Sequence, residues 1–295
     1  MKKSREDIIF EVINIFFVTI FFIIVLYPLI FVVSASISDP ALVSRGKIIL
    51  LPKGINLEGY KRVLGYEDIW IGYRNTIFYT ITGTLISLAL TLTAAYPLSI
   101  YEFLKNIFVV FFTITMFFSG GLIPTYMVVK SLGMRNTVFA QILLGAVSFM
   151  NIVIVRTFYQ TSIPEELMEA ARIDGCSNTK LFTSIVLPLA KPIIAVMALF
   201  YGVAQWNSYF NALIYLSDRD LFPLQLILRE ILIVNEIDME MLMTEGEMEA
   251  IHKKVEIAAL LKYSVMVVST LPIIIVYPFL QKYFVEGIMV GAIKG

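Results

Sequence analysis

Charge is scarce in this chain: only 16% of its 295 residues are Asp, Glu, Lys or Arg, against 58% hydrophobic. A soluble domain carries about 25% charged and about 45–50% apolar residues, so the composition disfavours a soluble enzyme at the outset. Cysteine and histidine are scarcer still. Cys176 and His252 stand alone, which leaves no pair for a disulfide and no cluster for zinc. The 23 basic residues balance the 23 acidic ones, and no dense basic block offers a surface for nucleic acid. Also missing is the glycine-rich G-x-x-x-x-G-K-[ST] loop that holds nucleotide phosphates. Its nearest fragment, Gly46-Lys47, lacks the upstream glycine and the following hydroxyl. If ATP drives this protein, another chain binds it.

What the chain does have is long apolar runs. Segments 12–38, 75–101, 106–129, 136–155, 192–217 and 263–281 contain no Asp, Glu, Lys, Arg or His. A helix needs about 20 apolar residues to cross the hydrocarbon core, so each is long enough to span. The runs are continuous rather than alternating, which favours helices over a barrel. The expectation is an all-α integral membrane protein of six transmembrane helices forming a single transmembrane domain over 1–295. Lys2, Lys3 and Arg5 ahead of the first run resemble a signal peptide, but the run far exceeds an h-region of about 7–15 residues and reads as a retained span. The same basic residues favour a cytoplasmic N-terminus. Six spans then place the C-terminus and the 156–191 loop inside as well, and 39–74 and 218–262 outside. Lys and Arg are equally dense on the two sides, so they add nothing to the orientation.

The spans lack ionisable residues other than tyrosine, which disfavours a carrier driven by a proton or sodium gradient. In the outside loops, Pro40, Pro52 and Gly54 break helix while Leu57 to Val63 can form a short one. Both Glu236 to Glu249 and His252 read as solvated surface.

The 156–191 loop is the most informative segment. Ser162 with Glu165 has the spacing of a capping box, with Pro164 in the first turn, so a helix is expected from about Ile163. Acidic Glu165 and Glu166 suit its N-terminal end. Gly175 sits where a left-handed residue would stop it, and Ser177 or Asn178 can cap a second helix that Pro188 closes. Ala170 and Ala171 leave one side nearly bare for close approach, and Glu169 and Arg172 can support each other at i and i+3. An ordinary amphipathic hairpin and a docking element both fit these features.

Glu169-Ala170-Ala171, Gly175, Ile185, Leu187 and Pro188 fit the pattern E-A-A-x3-G-x9-I-x-L-P at every fixed position. The chain thereby resembles the permease subunits of binding-protein-dependent ABC importers. The tail from Gln281 to Gly287 and from Gly291 to Gly295, and Trp206-Asn207-Ser208-Tyr209-Phe210-Asn211-Ala212-Leu213, resemble the carbohydrate group of maltose type, although Tyr209 stands where phenylalanine is usual. Phe117 to Tyr126 and Pro223 to Glu230 are similar to the branch handling complex or polysaccharide-derived oligosaccharides. The resemblance implies the type I importer fold, with the first span outside a five-helix core. It also implies a second homologous permease subunit, two ATPase subunits that bind ATP and Mg, an extracytoplasmic solute-binding protein and a bacterial cytoplasmic membrane.

In that setting Glu169, Ala170, Ala171, Arg172 and Gly175 couple the permease to the ATPase, and Gln281, Lys282 and Lys294 of the tail touch it too. Gln205, Trp206, Asn207, Ser208, Tyr209 and Asn211 are candidates for the sugar path, because amides and hydroxyls lie beside aromatic rings. Gln205 with Ser208, and Asn207 with Asn211, would share helix faces. Polar glue between helices is the competing reading. Ser119, Gly120 and Gly121 suit close packing or a helix break, and Cys176 reads as a small-residue position without redox work. An amino-acid or peptide permease would share the coupling loop and lack the carbohydrate-type tail.

Overall fold

The computed structural model describes residues 4–118, 120–233, 256, 258 and 260–278, without the side chains of 102–106. All the regular structure among them is helical. In chain order the helices are α1 (Arg5–Ser36), α2 (Pro40–Ser44), α3 (Glu58–Gly65), α4 (Glu67–Ile100), α5 (Glu102–Phe117), α6 (Leu122–Ser131), α7 (Val138–Ile142), α8 (Phe149–Ser162) and α9 (Glu165–Ile173). They continue with α10 (Asn178–Leu189), α11 (Lys191–Trp206), α12 (Phe210–Tyr215), α13 over 224–233 and α14 (Leu260–Pro278).

Three helices are single, long and apolar enough to cross a bilayer: α1, α4 and α14. The other expected spans are not single helices. Run 106–129 is bent by 114° between α5 and α6. Gly121, with φ +82, makes the turn, since only glycine enters that region freely. The expected break at the glycines is therefore present, while Ser119 lies outside the described residues. Run 136–155 divides into α7 and α8, with Gly145 at φ +80 between them. Run 192–217 ends its first helix at Trp206 and resumes at Phe210. A count of charges marks where lipid can lie. It does not see such breaks, because unwound backbone is tolerated at membrane depth wherever protein covers it.

Two compact units divide the described residues, one holding 4–69 with the described part of 228–271, the other 70–227 with 272–278. In the first, α1 opens on a capping box between Ser4 and Asp7, which sets its start ahead of the apolar run. Its long apolar face is exposed, from Ile8 to Val33. Phe31 meets Tyr263 of α14 edge-on, and Ser36 shares a 2.7 Å hydrogen bond with Tyr60 of α3. The Leu57–Val63 helix expected from sequence is α3. A Cβ at Gly59 would strike Leu260 and Ser264, so the glycine lets α3 lie directly on α14.

In the second unit, the start of α4 is pinned to the turn ahead of α13. The Asn75 amide donates to the carbonyls of Asp220 and Phe222, Tyr79 Oη donates to that of Leu221, and Leu224 N donates to Thr76 Oγ1. Asn136 similarly ties the turn before α7 to the end of α12, its Oδ1 accepting from Ser217 and Asp218 N. The main core lies where α4, α8, α10 and α11 meet, around Ala95, Leu98, Val155, Leu181, Ala190 and Met197. Lipid is as apolar as leucine, so close packing rather than escape from water holds such a core, and alanines at 95 and 190 permit it.

Candidate functional site

The hairpin expected to carry coupling is built from α9 and α10. Its helix starts later than the capping-box spacing implies. Ser162 is the last residue of α8, and Pro164 is the N-cap of α9, without a side-chain cap. Proline explains this: the residue before it is driven from helical to extended backbone, and Ile163 sits at φ −99, ψ 120. At the other end the expectation holds closely. Gly175 takes φ +76, its N–H donates to Arg172 O at 3.0 Å, and Cys176 N donates to Ala171 O at 2.9 Å. This double bond pattern is a Schellman termination. Ser177 then caps α10, its hydroxyl accepting from Lys180 N. Pro188 does not close α10 as expected. That helix passes through a π-helical stretch, Phe182–Val186, and runs to Leu189, and the chain bends by 80° at Ala190 into α11. Pro192 in the first turn of α11 fits a helix start there.

The two alanines face different ways. Ala171 packs with Met168 and Cys176 against the core, whereas Ala170 is exposed. The outward face of α9 carries Glu166, Glu169, Ala170 and Ile173, and Ile173 is 87% exposed. An isoleucine so exposed beside bare alanine, between two glutamates, is what a docking surface needs. Sequence reasoning missed it, because the E-A-A pattern leaves Ile173 unconstrained. The expected support between Glu169 and Arg172 is not formed as an ion pair, and both side chains are exposed. No residue of α9 is buried.

Behind the hairpin, polar bonds fix it and α8 to the end of α4 and the residue that follows. Asn178 Nδ2 donates to Tyr101 Oη at 3.1 Å, Gln160 Nε2 to Ser99 O, and Arg156 Nε to Leu98 O. Tyr96 and Phe182 rings lie 4.8 Å apart. A cavity of about 280 Å³ lies here, lined among others by Ser99, Tyr101, Tyr159, Gln160, Glu165 and Met168. The Tyr159 hydroxyl is buried without a partner among the described residues, and burial pushes its pKa well above the ordinary phenol value.

The candidate path residues are not gathered on one face. Asn207 ends α11, its amide donating to Val203 O, and the break at 207–209 separates it from Asn211. The same break separates Gln205 from Ser208, whose hydroxyl accepts from buried Gln141 Nε2 at 2.9 Å. Trp206 is buried and its ring is 6.4 Å from that of Tyr73, while Tyr209 is exposed. Ser208 and Trp206 therefore join helices. Asn207 is exposed, and Gln205 and Asn211 are half-buried. The Gln205 side chain lies on Gly83, where a Cβ would come within 2.7 Å of it, and Gly202 approaches Thr84. Thr80, Thr84 and Ser87 of α4 have buried hydroxyls without partners among the described residues. Gln281, Lys282 and Lys294 lie outside the described residues. So do His252 and Glu236 to Glu249.

Among the described residues no group of His, Cys, Asp and Glu is arranged to hold a metal. Residues 87–290 match the family described as "Binding-protein-dependent transport system inner membrane component". The chain is 38% identical over 296 residues to Protein LplC of Bacillus subtilis (strain 168), covering 100% of this chain and 98% of that one. It is also 38% identical, over 95% of this chain and 96% of the other, to the polygalacturonan/rhamnogalacturonan transport system permease protein YtcP of the same organism. A crystal structure of a bacterial ABC transporter involved in the import of the acidic polysaccharide alginate superposes with a TM-score of 0.79. That chain is 33% identical, with 96% of this chain and 99% of that one covered. Apolar helices, the E-A-A hairpin and these matches agree: the chain belongs to the family of binding-protein-dependent transport system inner membrane components.

Proposed function

We propose that the chain is one of two homologous permease subunits of an ATP-driven importer, and that it moves an oligosaccharide derived from a complex polysaccharide. The observation that carries the coupling half is the exposed outward face of α9, held on a core-packed base and ended by Gly175. Such a face is stable in place yet uncovered within its own chain. Two ATPase subunits carrying ATP and Mg would cover it from the cytoplasm, with both chain termini on the same side and a solute-binding protein on the other. Closure of the ATPase pair draws the docked hairpins together, and the rigid α9–α10 base transmits that movement to α11 through Ala190. The two permease subunits then rock from inward- to outward-facing, a rigid-body switch. The tail from Gln281 is a second contact with the ATPase in this scheme.

The substrate half is supported by the relatives named for polygalacturonan/rhamnogalacturonan and alginate. Asn207 and Tyr209, both exposed at the break after α11, supply the amide and the aromatic ring that a sugar path would use. Co-reconstitution of the full chain with its partner subunits and binding protein tests this. Oligosaccharide uptake should require ATP inside the assembly's cytoplasmic compartment, and unlabelled oligosaccharide should compete while amino acids and peptides do not. Competition by peptides alone would favour the amino-acid or peptide permease instead.

A further inference from the structure

The loop after α1 carries an apolar segment that lies outside the hairpin and the candidate path. Ile48 is buried, but Ile49 and Leu51 are 66% and 70% exposed, and Leu50 is 45% exposed. Exposed side chains of this size are costly in water, and a contiguous group of them marks a contact surface. Hydrogen bonds fix its position. Ser34 Oγ donates to Leu50 O at 2.6 Å, Lys53 N to Ser38 Oγ at 3.1 Å, and Asp39 N to Lys53 O at 3.0 Å. Ser34 belongs to the last turn of α1 and to the apolar run 12–38. The segment is therefore tied at the level where the first span leaves the hydrocarbon, and it continues the exposed apolar face of that helix. Exposed Arg45, Lys47 and Lys53 flank it, with Lys53 Nζ donating to Lys47 O. Apolar side chains bordered by cations suit the acyl and phosphate layers of a lipid leaflet.

We propose that Ile49, Leu50 and Leu51 form an interfacial membrane anchor, inserted into the leaflet at the C-terminal end of α1, with the flanking cations at the lipid phosphates. The anchor would fix the depth and tilt of α1, whose own apolar face carries no register. The inference rests on reading α1 as a span.

The test places a nitroxide on Leu51→Cys, or on Ile49→Cys should the first fail to assemble, with Cys176→Ala as background. The full importer is reconstituted in bilayers of phosphatidylethanolamine and phosphatidylglycerol. Collision with oxygen, which concentrates in lipid, is compared with collision with a water-soluble nickel chelate. Labels on Phe17→Cys in α1 and on exposed Lys61→Cys serve as references. The oxygen-to-nickel ratio at 51 should exceed that at 61 severalfold and approach that at 17. A ratio equal to that at 61, with 17 still in lipid, overturns the anchor while leaving the span intact. Protection of 51 from both reagents also overturns it, because protein rather than lipid then covers the segment. A nickel-accessible Phe17 position would instead overturn the reading of α1 as a span, and the anchor with it.

Discussion

Gly175 is where backbone geometry and coupling meet most closely. Its φ of +76 lies in the left-handed region, and nothing within 4 Å would meet a Cβ there. Substitution therefore costs conformational strain alone, about 1–2 kcal/mol for an ordinary residue and more for a β-branched one. Asparagine enters this region more easily than other residues with a Cβ. The ladder of damage should run from glycine through Asn and Ala to Val, even though Asn is larger than Ala. A change of about 1.4 kcal/mol is tenfold in an equilibrium constant, so Gly175→Val should lower the ordered-to-disordered ratio of the hairpin by an order of magnitude or more. The assay is ATP hydrolysis by the reconstituted importer with and without loaded binding protein, alongside the amount of chain inserted. Insertion should be unchanged across the series, and stimulation should fall in the stated order. If Gly175→Asn is as damaging as Gly175→Val, side-chain volume against a partner rather than backbone conformation governs the site. Full stimulation with Gly175→Val would refute the coupling role itself.

Ala170→Trp and Ala171→Trp should separate docking from packing: the first should leave thermal stability within about 0.5 kcal/mol while abolishing stimulated ATP hydrolysis. The second should destabilise by about 1–3 kcal/mol through overpacking, seen as a lowered melting temperature in detergent. Ser208→Ala removes the partner of the buried Gln141 amide and should cost about 1–3 kcal/mol, with the apparent KM for sugar unchanged if Ser208 joins helices rather than lining the path. Tyr159→Phe deletes a buried hydroxyl that has no partner among the described residues and should be neutral or mildly stabilising by thermal unfolding. Asn75→Ala should lower stability by about 1–3 kcal/mol, because the carbonyls of Asp220 and Phe222 lose their donor.

Features with a single local cause were legible in the sequence. Gly175 and Ser177 each answer a need of one helix end, a left-handed residue and an N-cap acceptor, and the structure uses both. Helix starts were less legible where two local rules compete. At Ser162 the capping-box spacing pointed one way and the restriction before Pro164 the other, and the steric restriction prevails. The glycines marked the break in the third run, but those in the fourth and fifth runs were hidden because apolar composition is the same on both sides of a bend. What decides them is tertiary, such as Asn136 binding the end of α12 and Gln141 binding Ser208. The same holds for the candidate path. Periodicity grouped Gln205 to Asn211 on one helix, whereas the helix ends at Trp206 and the residues scatter.

The central claim is that the driving force enters through the outward face of α9 from a separate ATPase. A single cysteine at position 173, with Cys176 replaced by alanine, reads this directly through its reaction with a membrane-impermeant maleimide. It should be unreactive in intact spheroplasts, reactive in inverted vesicles stripped of the ATPase, and protected again when the ATPase is restored. Labelling from outside the cell, or reaction undiminished by bound ATPase, would contradict the claim.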